Sequence, residues 1–251
     1  MIFCAMLVLG ALLGFAGAGG AGLTITLLTV GFGVSIHTAL GVALAAMSFT
    51  MLSGAISHFR EGDVLLRLGL TTGSAGMFGA FLGARVSDLL ASDILSKITA
   101  ALMIASSVLL YFILFRKDLL DSFVAKHASK AEGVSFYVHA LTIGIVTGFL
   151  SGAFGIGATA FIQISLMLFF GISLYHAIGT TMLVILPISI SGGLGYLFNG
   201  HLDFYIFIQT LGGLTIGAYF GAKLTRLASR NVLRYILLFM PASGGLLLLL
   251  K

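Results

Sequence analysis

The chain has 251 residues, of which 59% are apolar and only 8% charged, with a mean hydropathy of +1.15. A soluble domain carries about 25% charged residues, so this composition excludes a water-facing globule and describes an integral membrane protein with no room for a separate soluble domain. The net charge of +5 is carried by short loops between apolar runs, where it sets orientation rather than attracting nucleic acid.

The chain begins apolar at Ile2 with no basic leader, and this start is expected to belong to the first membrane segment rather than to a cleaved signal peptide. Cys4 is the single cysteine, which leaves no intrachain disulfide and no thiolate metal cluster. The run from Met1 to Val30 would measure roughly 45 Å as one helix. That is too long for a hydrocarbon core of about 30 Å and too short for two full crossings. It is interrupted by Gly17-Ala18-Gly19-Gly20-Ala21-Gly22. Glycine costs about 1 kcal/mol relative to alanine inside a helix, so the pattern predicts a helical hairpin broken at these glycines. Re-entrant half-membrane helices and a pair of short full spans both satisfy it. Spans are then expected at about 36–57, 64–86 and 94–115.

Arg116 to Glu132 is the one sizeable polar stretch and is expected to connect two membrane halves, 1–115 and 134–251, as a cytoplasmic segment over 116–133. The second half opens with the apolar run Val134–Phe170, interrupted at Gly144, Gly148, Gly152, Gly155 and Gly157. Its second break reads Gly152-Ala153-Phe154-Gly155-Ile156-Gly157. Spans follow at about 174–198, 204–222 and 233–250, with Pro187 expected to kink the first of them.

The halves align with a constant offset of 138. Gly33-Val34-Ser35-Ile36-His37-Thr38-Ala39-Leu40-Gly41 matches Gly171-Ile172-Ser173-Leu174-Tyr175-His176-Ala177-Ile178-Gly179. Gly79-Ala80-Phe81-Leu82-Gly83-Ala84-Arg85 matches Gly217-Ala218-Tyr219-Phe220-Gly221-Ala222-Lys223. Charge gives the relative orientation. With one returning hairpin and three crossings per half, Arg60, Arg67, Arg116, Lys117, Lys126, Lys130, Lys223, Arg226, Arg230 and Arg234 share a side. Only Arg85, Lys97 and Lys251 oppose them. That bias obeys the positive-inside rule, and the odd number of crossings inverts the second half. The expected fold is therefore an all-α polytopic membrane protein with two inverted repeats. Each repeat is a glycine-broken helical hairpin plus three spans. The expected location is the cytoplasmic membrane, with Ser122 and Ser229 inside and Asn199 and the C-terminus outside.

Gly17, Gly19 and Gly22 match G-x-G-x-x-G literally, but no strand precedes them and no acidic residue appears before Glu61, so a dinucleotide site is excluded. No Walker A motif exists, no metal-ligating spacing such as H-E-x-x-H exists, and no cofactor is expected. The G-x-x-x-G pairs Gly79/Gly83 and Gly217/Gly221 suit close helix packing. The breaks recur in both halves and suit a different task. They leave helix N-termini and free backbone N–H groups inside the membrane, where a small anion can bind.

Candidate binding residues follow from the breaks. Gly20, Gly22, Gly155 and Gly157 bring backbone close to a ligand. Thr24 and Thr159, two residues past each break, either cap the second half-helix or offer a hydroxyl. Gln163 lies one turn beyond Thr159 and serves either the ligand or an interhelical hydrogen bond. Thr180 and Thr181, at the start of a span, join the set, with Ser48 as a first-half candidate. His37 and His176 open the repeated loop-to-span segment and either contact an anion or mark the interface. No charged residue lies deep in a span, which argues against a carboxylate-based pump. The partners are then the lipid bilayer, a small anion, and an unassigned coupling ion, proton or sodium; an oligomer is compatible with the pattern. A passive anion channel could use the same site. An intramembrane enzyme would have to use Ser151 with His139.

With the glycine-rich broken helix, the Gly171–Thr180 segment and the Gly217–Lys223 segment all duplicated, the chain resembles the TauE/SafE sulfite exporter family over essentially its whole length. Members often carry a proline shortly after the break, whereas Thr24–Leu28 and Thr159–Gln163 have none. The resemblance implies a secondary transporter for sulfite, an organosulfonate or a related sulfur-containing anion.

Overall fold

A computed structural model describes residues 1–16, 21–116, 133–155, 158–225 and 230–250, the side chains of 14–16, 221–225, 230–234 and 237 excepted. Gly20, Gly157, Ser122, Ser229 and the body of the 116–133 connector lie outside the described residues. Among the described residues ten α-helices form: α1 (Ile2–Ala16), α2 (Ala21–Thr26, continued by a π-turn over Leu27–Gly31), α3 (Ile36–Glu61), α4 (Leu66–Asp88), α5 (Ser92–Phe115), α6 (Val134–Phe154), α7 (Thr159–Phe170), α8 (Leu174–Phe198), α9 (Phe204–Thr225) and α10 (Arg230–Leu249).

The repeated loop-to-span segments are capped helix starts. Ser35 accepts from the Thr38 N–H at 3.2 Å, and Ser173, 138 residues later, accepts from the His176 N–H at 3.4 Å. A serine in the cap position satisfies a donor that the first turn leaves unpaired. The ends of α3 and α8 match in the same way. Gly62 and Gly200 take φ of +81° and +76°. The next residues fold back, Asp63 N–H to the His58 carbonyl at 3.0 Å and His201 N–H to the Tyr196 carbonyl at 2.9 Å. Only glycine enters that left-handed cap without a Cβ penalty.

At the centre α3 and α8 run antiparallel, with Gly54 beside Met182, Ala45 beside Gly193, and Gly41 beside Tyr196. Helix α4 fills the angle between α6 and α8; α1 packs on α9, and α5 on α10. The contacts repeat at the sequence offset with the halves exchanged. A Cβ on Gly79 would strike the Ile145 carbonyl and the Phe149 nitrogen, and one on Gly217 would strike the Leu7 carbonyl and the Ala11 nitrogen. Gly148 meets the Gly76 carbonyl just as Gly10 meets that of Leu214. Such backbone-to-backbone approach is what small residues allow between membrane helices. It fixes Gly79, Gly83 and Gly217 as packing residues, as their G-x-x-x-G spacing suggests.

Among the described residues, α3, α5, α6 and α8 are long and apolar enough to cross a membrane. The expected spans over α4 and α9 form as helices but are not among these four. Helix α4 buries Thr72, Gly73, Gly76, Gly79 and Gly83 against its neighbours. A helix enclosed by protein needs small residues more than it needs hydropathy. Pro187 sits inside α8 without ending it, and its ring packs where a Cβ on Gly73 would fall, at 2.8 Å.

The hairpins differ from two equal half-membrane arms. Helix α6 runs 21 residues without interruption, whereas α7 has 12. Gly144, Gly148 and Gly152 leave α6 unbroken and are spent on contact with the backbone of Thr72, Gly76 and Ala80. Only at Gly155, with φ +64°, does the chain turn out of the helix.

Candidate functional site

The second break places the start of α7 inside the hairpin that α6 and α7 form. The Phe136 and Phe170 rings meet at 5.3 Å, and His139 and Phe169 at 4.9 Å, closing the open end of the hairpin. Thr159 therefore starts α7 roughly 17 Å along the helix from that level, about half of a hydrocarbon core. The residue before it, Ala158, is held at φ +45°, the single non-glycine residue with positive φ among those described. A left-handed alanine costs roughly 1–2 kcal/mol, a strain the surrounding packing must sustain.

The two breaks adjoin. Ala21, which opens α2, shares a buried cluster with Ala158, Ile162 and Leu166. A Cβ on Gly155 would fall 2.8 Å from the Ile25 methyl of α2 and against Leu40 of α3. Thr24 is buried in α2 at 1% exposure and is engaged in an interaction there.

Neither threonine caps its half-helix. Helix α2 begins at Ala21, so Thr24 lies inside it, and the cap position of α7 is Ala158, which has no side-chain acceptor to offer. The first N–H groups of α7 are thus left without a capping side chain, at the positive end of the helix dipole.

Gln163 lies one turn into α7, on the same face as Thr159. The residue is 7% exposed, and its amide is not among the fully buried polar atoms left without a partner. A fully buried polar atom in that condition costs about 1–3 kcal/mol. Among the described residues such atoms include the hydroxyls of Thr181 in α8 and of Ser151, which lies one turn before Gly155 in α6, with those of Thr72, Thr99 and Thr210 elsewhere. The reasoning from sequence gave Ser151 no binding role. The signal was present: it is the sole hydroxyl in the turn that runs into the break.

The other candidate residues sit elsewhere. Gly22 lies in the first turn of α2, where a Cβ would come 2.7 Å from the Met103 methyl of α5, so it faces a packed helix rather than an open site. Thr180 accepts the Leu65 N–H at 3.1 Å and ties α8 to the start of α4. Ser48 donates to the Ala45 carbonyl at 2.7 Å and lines an apolar groove of about 330 Å³ with Phe49, Ile190 and Phe207. His37 and His176 start antiparallel helices and so lie at opposite faces. His37 donates to the Ser87 carbonyl at 3.0 Å, and His176 pairs with the Ser173 hydroxyl at 2.8 Å. His139 and Ser151 are twelve positions apart on one helix, roughly 18 Å, and the His139 Nδ1 is held by Ser135. They form no catalytic pair.

A prediction follows for Thr180. Thr180→Val would strand the Leu65 N–H, lowering stability by about 1–3 kcal/mol, while anion affinity changes less than about twofold. Thermal melting and calorimetry on the same preparation check this. Lost affinity with an unmoved melting temperature would return Thr180 to the binding site.

Comparison with known proteins is consistent along the whole chain. The family model described as sulfite exporter TauE/SafE matches residues 2–248. The probable membrane transporter protein YdhB of Bacillus subtilis is 43% identical over 251 residues, covering 99% of each chain. A probable membrane transporter protein of Xylella fastidiosa is 28% identical over 90% of this chain and 87% of its own. The probable membrane transporter protein YunE of Bacillus subtilis is 27% identical over 79% of this chain and 74% of its own. No solved structure matches the chain.

Proposed function

The chain belongs to the TauE/SafE sulfite exporter family, and from that premise we propose that it is a secondary transporter for a small sulfur-containing anion, sulfite or an organosulfonate. The anion sits at the start of α7. The uncapped N–H groups of that helix and the hydroxyl of Thr159 bind its oxygens, together with the Gln163 amide. Thr24, Thr181 and Ser151 complete the wall. The observation that carries this reading is the uncapped start of α7 beside the second break, with the Ser151 hydroxyl, buried and without a partner among the described residues, one turn before that break.

The chemistry is matched. A sulfite or sulfonate group presents a compact negative charge and several acceptor oxygens, which suit converging N–H and O–H donors. The helix dipole adds a favourable field. No fixed cation is required.

The two halves act as inverted repeats around this site and rock against one another. Support comes from contacts that recur at the 138-residue offset with the halves exchanged, and from the directions of α4 and α9. Helix α4 begins beside the start of α8, through Leu65 and Thr180, whereas α9 begins beside the end of α4, where His201 meets Asp88. The equivalent helices run in opposite senses. The orientation that obeys the positive-inside rule puts Ser122 and Ser229 in the cytoplasm and Asn199 outside. Single cysteines there, in a Cys4→Ala background, are expected to react with an impermeant thiol reagent from those sides in intact cells. Ser122 and Ser229 reacting from opposite faces would remove the inverted arrangement.

The substrate class is tested by thermal shift and calorimetry with sulfite, sulfoacetate, taurine, thiosulfate and sulfate. Only ligands of the folded state stabilise it. At least one of these anions is expected to raise the melting temperature, with metal cations and uncharged analogues giving no shift. Stabilisation by a cation or a neutral solute alone would refute the assignment.

A further inference from the structure

We propose that the membrane face at the start of α3 is closed by a latch built on Tyr196, and that the equivalent turn at the other end of α3, built on His58, carries no such latch. The inference rests on the transport reading and goes beyond it. The duplication places Tyr196 opposite His58, His201 opposite Asp63 and Gly41 opposite Gly179, each pair separated by 138 residues. The structure brings each set together in the same way. A Cβ on Gly41 would fall 2.7 Å from Tyr196 Cβ and 3.2 Å from the His201 carbonyl, and one on Gly179 would fall 2.8 Å from the Asp63 carbonyl. Both sets are held by the same glycine-capped turn. Helix α3 has 26 residues, roughly 39 Å, so the two sets stand at opposite membrane faces.

The Tyr196 gate is closed. Tyr196 is completely buried, and its hydroxyl donates to the Ser87 Oγ at 2.8 Å with the Ala153 carbonyl at 3.3 Å. Ala153 is the penultimate residue of α6, two positions before the Gly155 break, so the latch grips the wall of the candidate site itself. Above it His37 stacks on His201 with centroids 5.0 Å apart, and His201 is bonded to Asp88 at 2.6 Å. Four helices and the loop before α9 meet in this network. Opening the face requires Tyr196 to release both α4 and α6.

The equivalent turn carries no such latch. His58 Nδ1 lies 3.5 Å from Glu61 and 3.6 Å from Asp63, both in its own helix end and turn, and makes no hydrogen bond among the described residues. The adjoining Thr180–Leu65 bond ties α8 to the start of α4. One face is thus latched across helices through Tyr196, whereas at the other His58 bridges no second helix among the described residues.

The test uses accessibility rather than flux, so that it reports on the latch even if the substrate assignment fails. Ser151→Cys, a near-isosteric change at a buried position, serves as reporter in the Cys4→Ala background. It is labelled with an impermeant thiol reagent in vesicles of each orientation, without substrate. Tyr196→Phe keeps the ring and removes the latch, and labelling from the Tyr196 face is expected to rise roughly two- to tenfold, with the opposite face unchanged. Ser87→Ala removes the same bond from its other partner and is expected to do likewise, which keeps the test available if Tyr196→Phe folds poorly. His58→Gln is expected to leave labelling from the other face unchanged. Unchanged labelling in folded Tyr196→Phe and Ser87→Ala protein, or a rise from the wrong face, would overturn the proposal. Absence of sulfite flux with the labelling result intact would remove the substrate and leave the latch standing.

Discussion

Gln163→Leu is expected to weaken binding of the transported anion by roughly 10- to 150-fold, the loss of one hydrogen bond to a charged acceptor. The same substitution is expected to leave the unliganded protein as stable as before, or more so. Gln163 is 7% exposed and lies on the Thr159 face of α7. Leucine fills a similar volume without the amide. Opposite signs on stability and affinity separate a ligand group from a structural one. Calorimetry with sulfite, beside thermal melting without it, reads both. A fall in stability with affinity unchanged would assign Gln163 to interhelical bonding and move the site elsewhere.

Gly152→Leu is expected to destabilise the protein by about 3 kcal/mol or more, enough to abolish folded yield in a marginally stable chain. A Cβ at Gly152 would lie against the backbone of Ala80, and backbone cannot rotate aside as a side chain can. Gly217→Leu, pressed on the Leu7 carbonyl in the equivalent interface, is expected to fail alike. Gly212→Ala, whose Cβ meets the Phe3 ring at 3.3 Å, is expected to change the melting temperature little. Detergent-extracted monodisperse yield and melting temperature provide the comparison. Full yield from Gly152→Leu would contradict the close α4–α6 contact.

These substitutions show where sequence stops being informative. The class, the offset of 138 and the helix starts at Ser35 and Ser173 all follow from composition and repetition, because capping and hydropathy act locally. The division of labour among glycines does not. Gly148, Gly152 and Gly155 are alike as letters, yet two of them touch α4 and only the third leaves the helix. That difference is made by a neighbour 70 residues away, Gly76 or Ala80. For the same reason Gly155→Leu cannot test ligand approach without also disturbing Leu40 and Ile25.

The candidate site divides in the same way. Thr159 and Gln163 are legible because their spacing along α7 puts them on one face. Thr180 and Thr181 are adjacent and indistinguishable by type, but the Leu65 N–H occupies one and leaves the other unpaired. The histidines, one position apart in the aligned loops, end at opposite faces because the helices they start run antiparallel. Ser151 receives no binding role from sequence because a lone serine in an apolar run usually bonds back to its own helix, and here it has no such partner.

The central claim is that an anion carrier operates through the start of α7, and sulfite counterflow in proteoliposomes tests it most directly. Vesicles preloaded with unlabelled sulfite and diluted into a trace of labelled sulfite are expected to accumulate label transiently above its equilibrium level. Initial rates should saturate with concentration, and Gln163→Leu should show little uptake at concentrations that half-saturate the wild type. Linear, non-saturating flux without counterflow would make the protein a channel. Wild-type counterflow in folded Gln163→Leu protein at those concentrations would contradict the site.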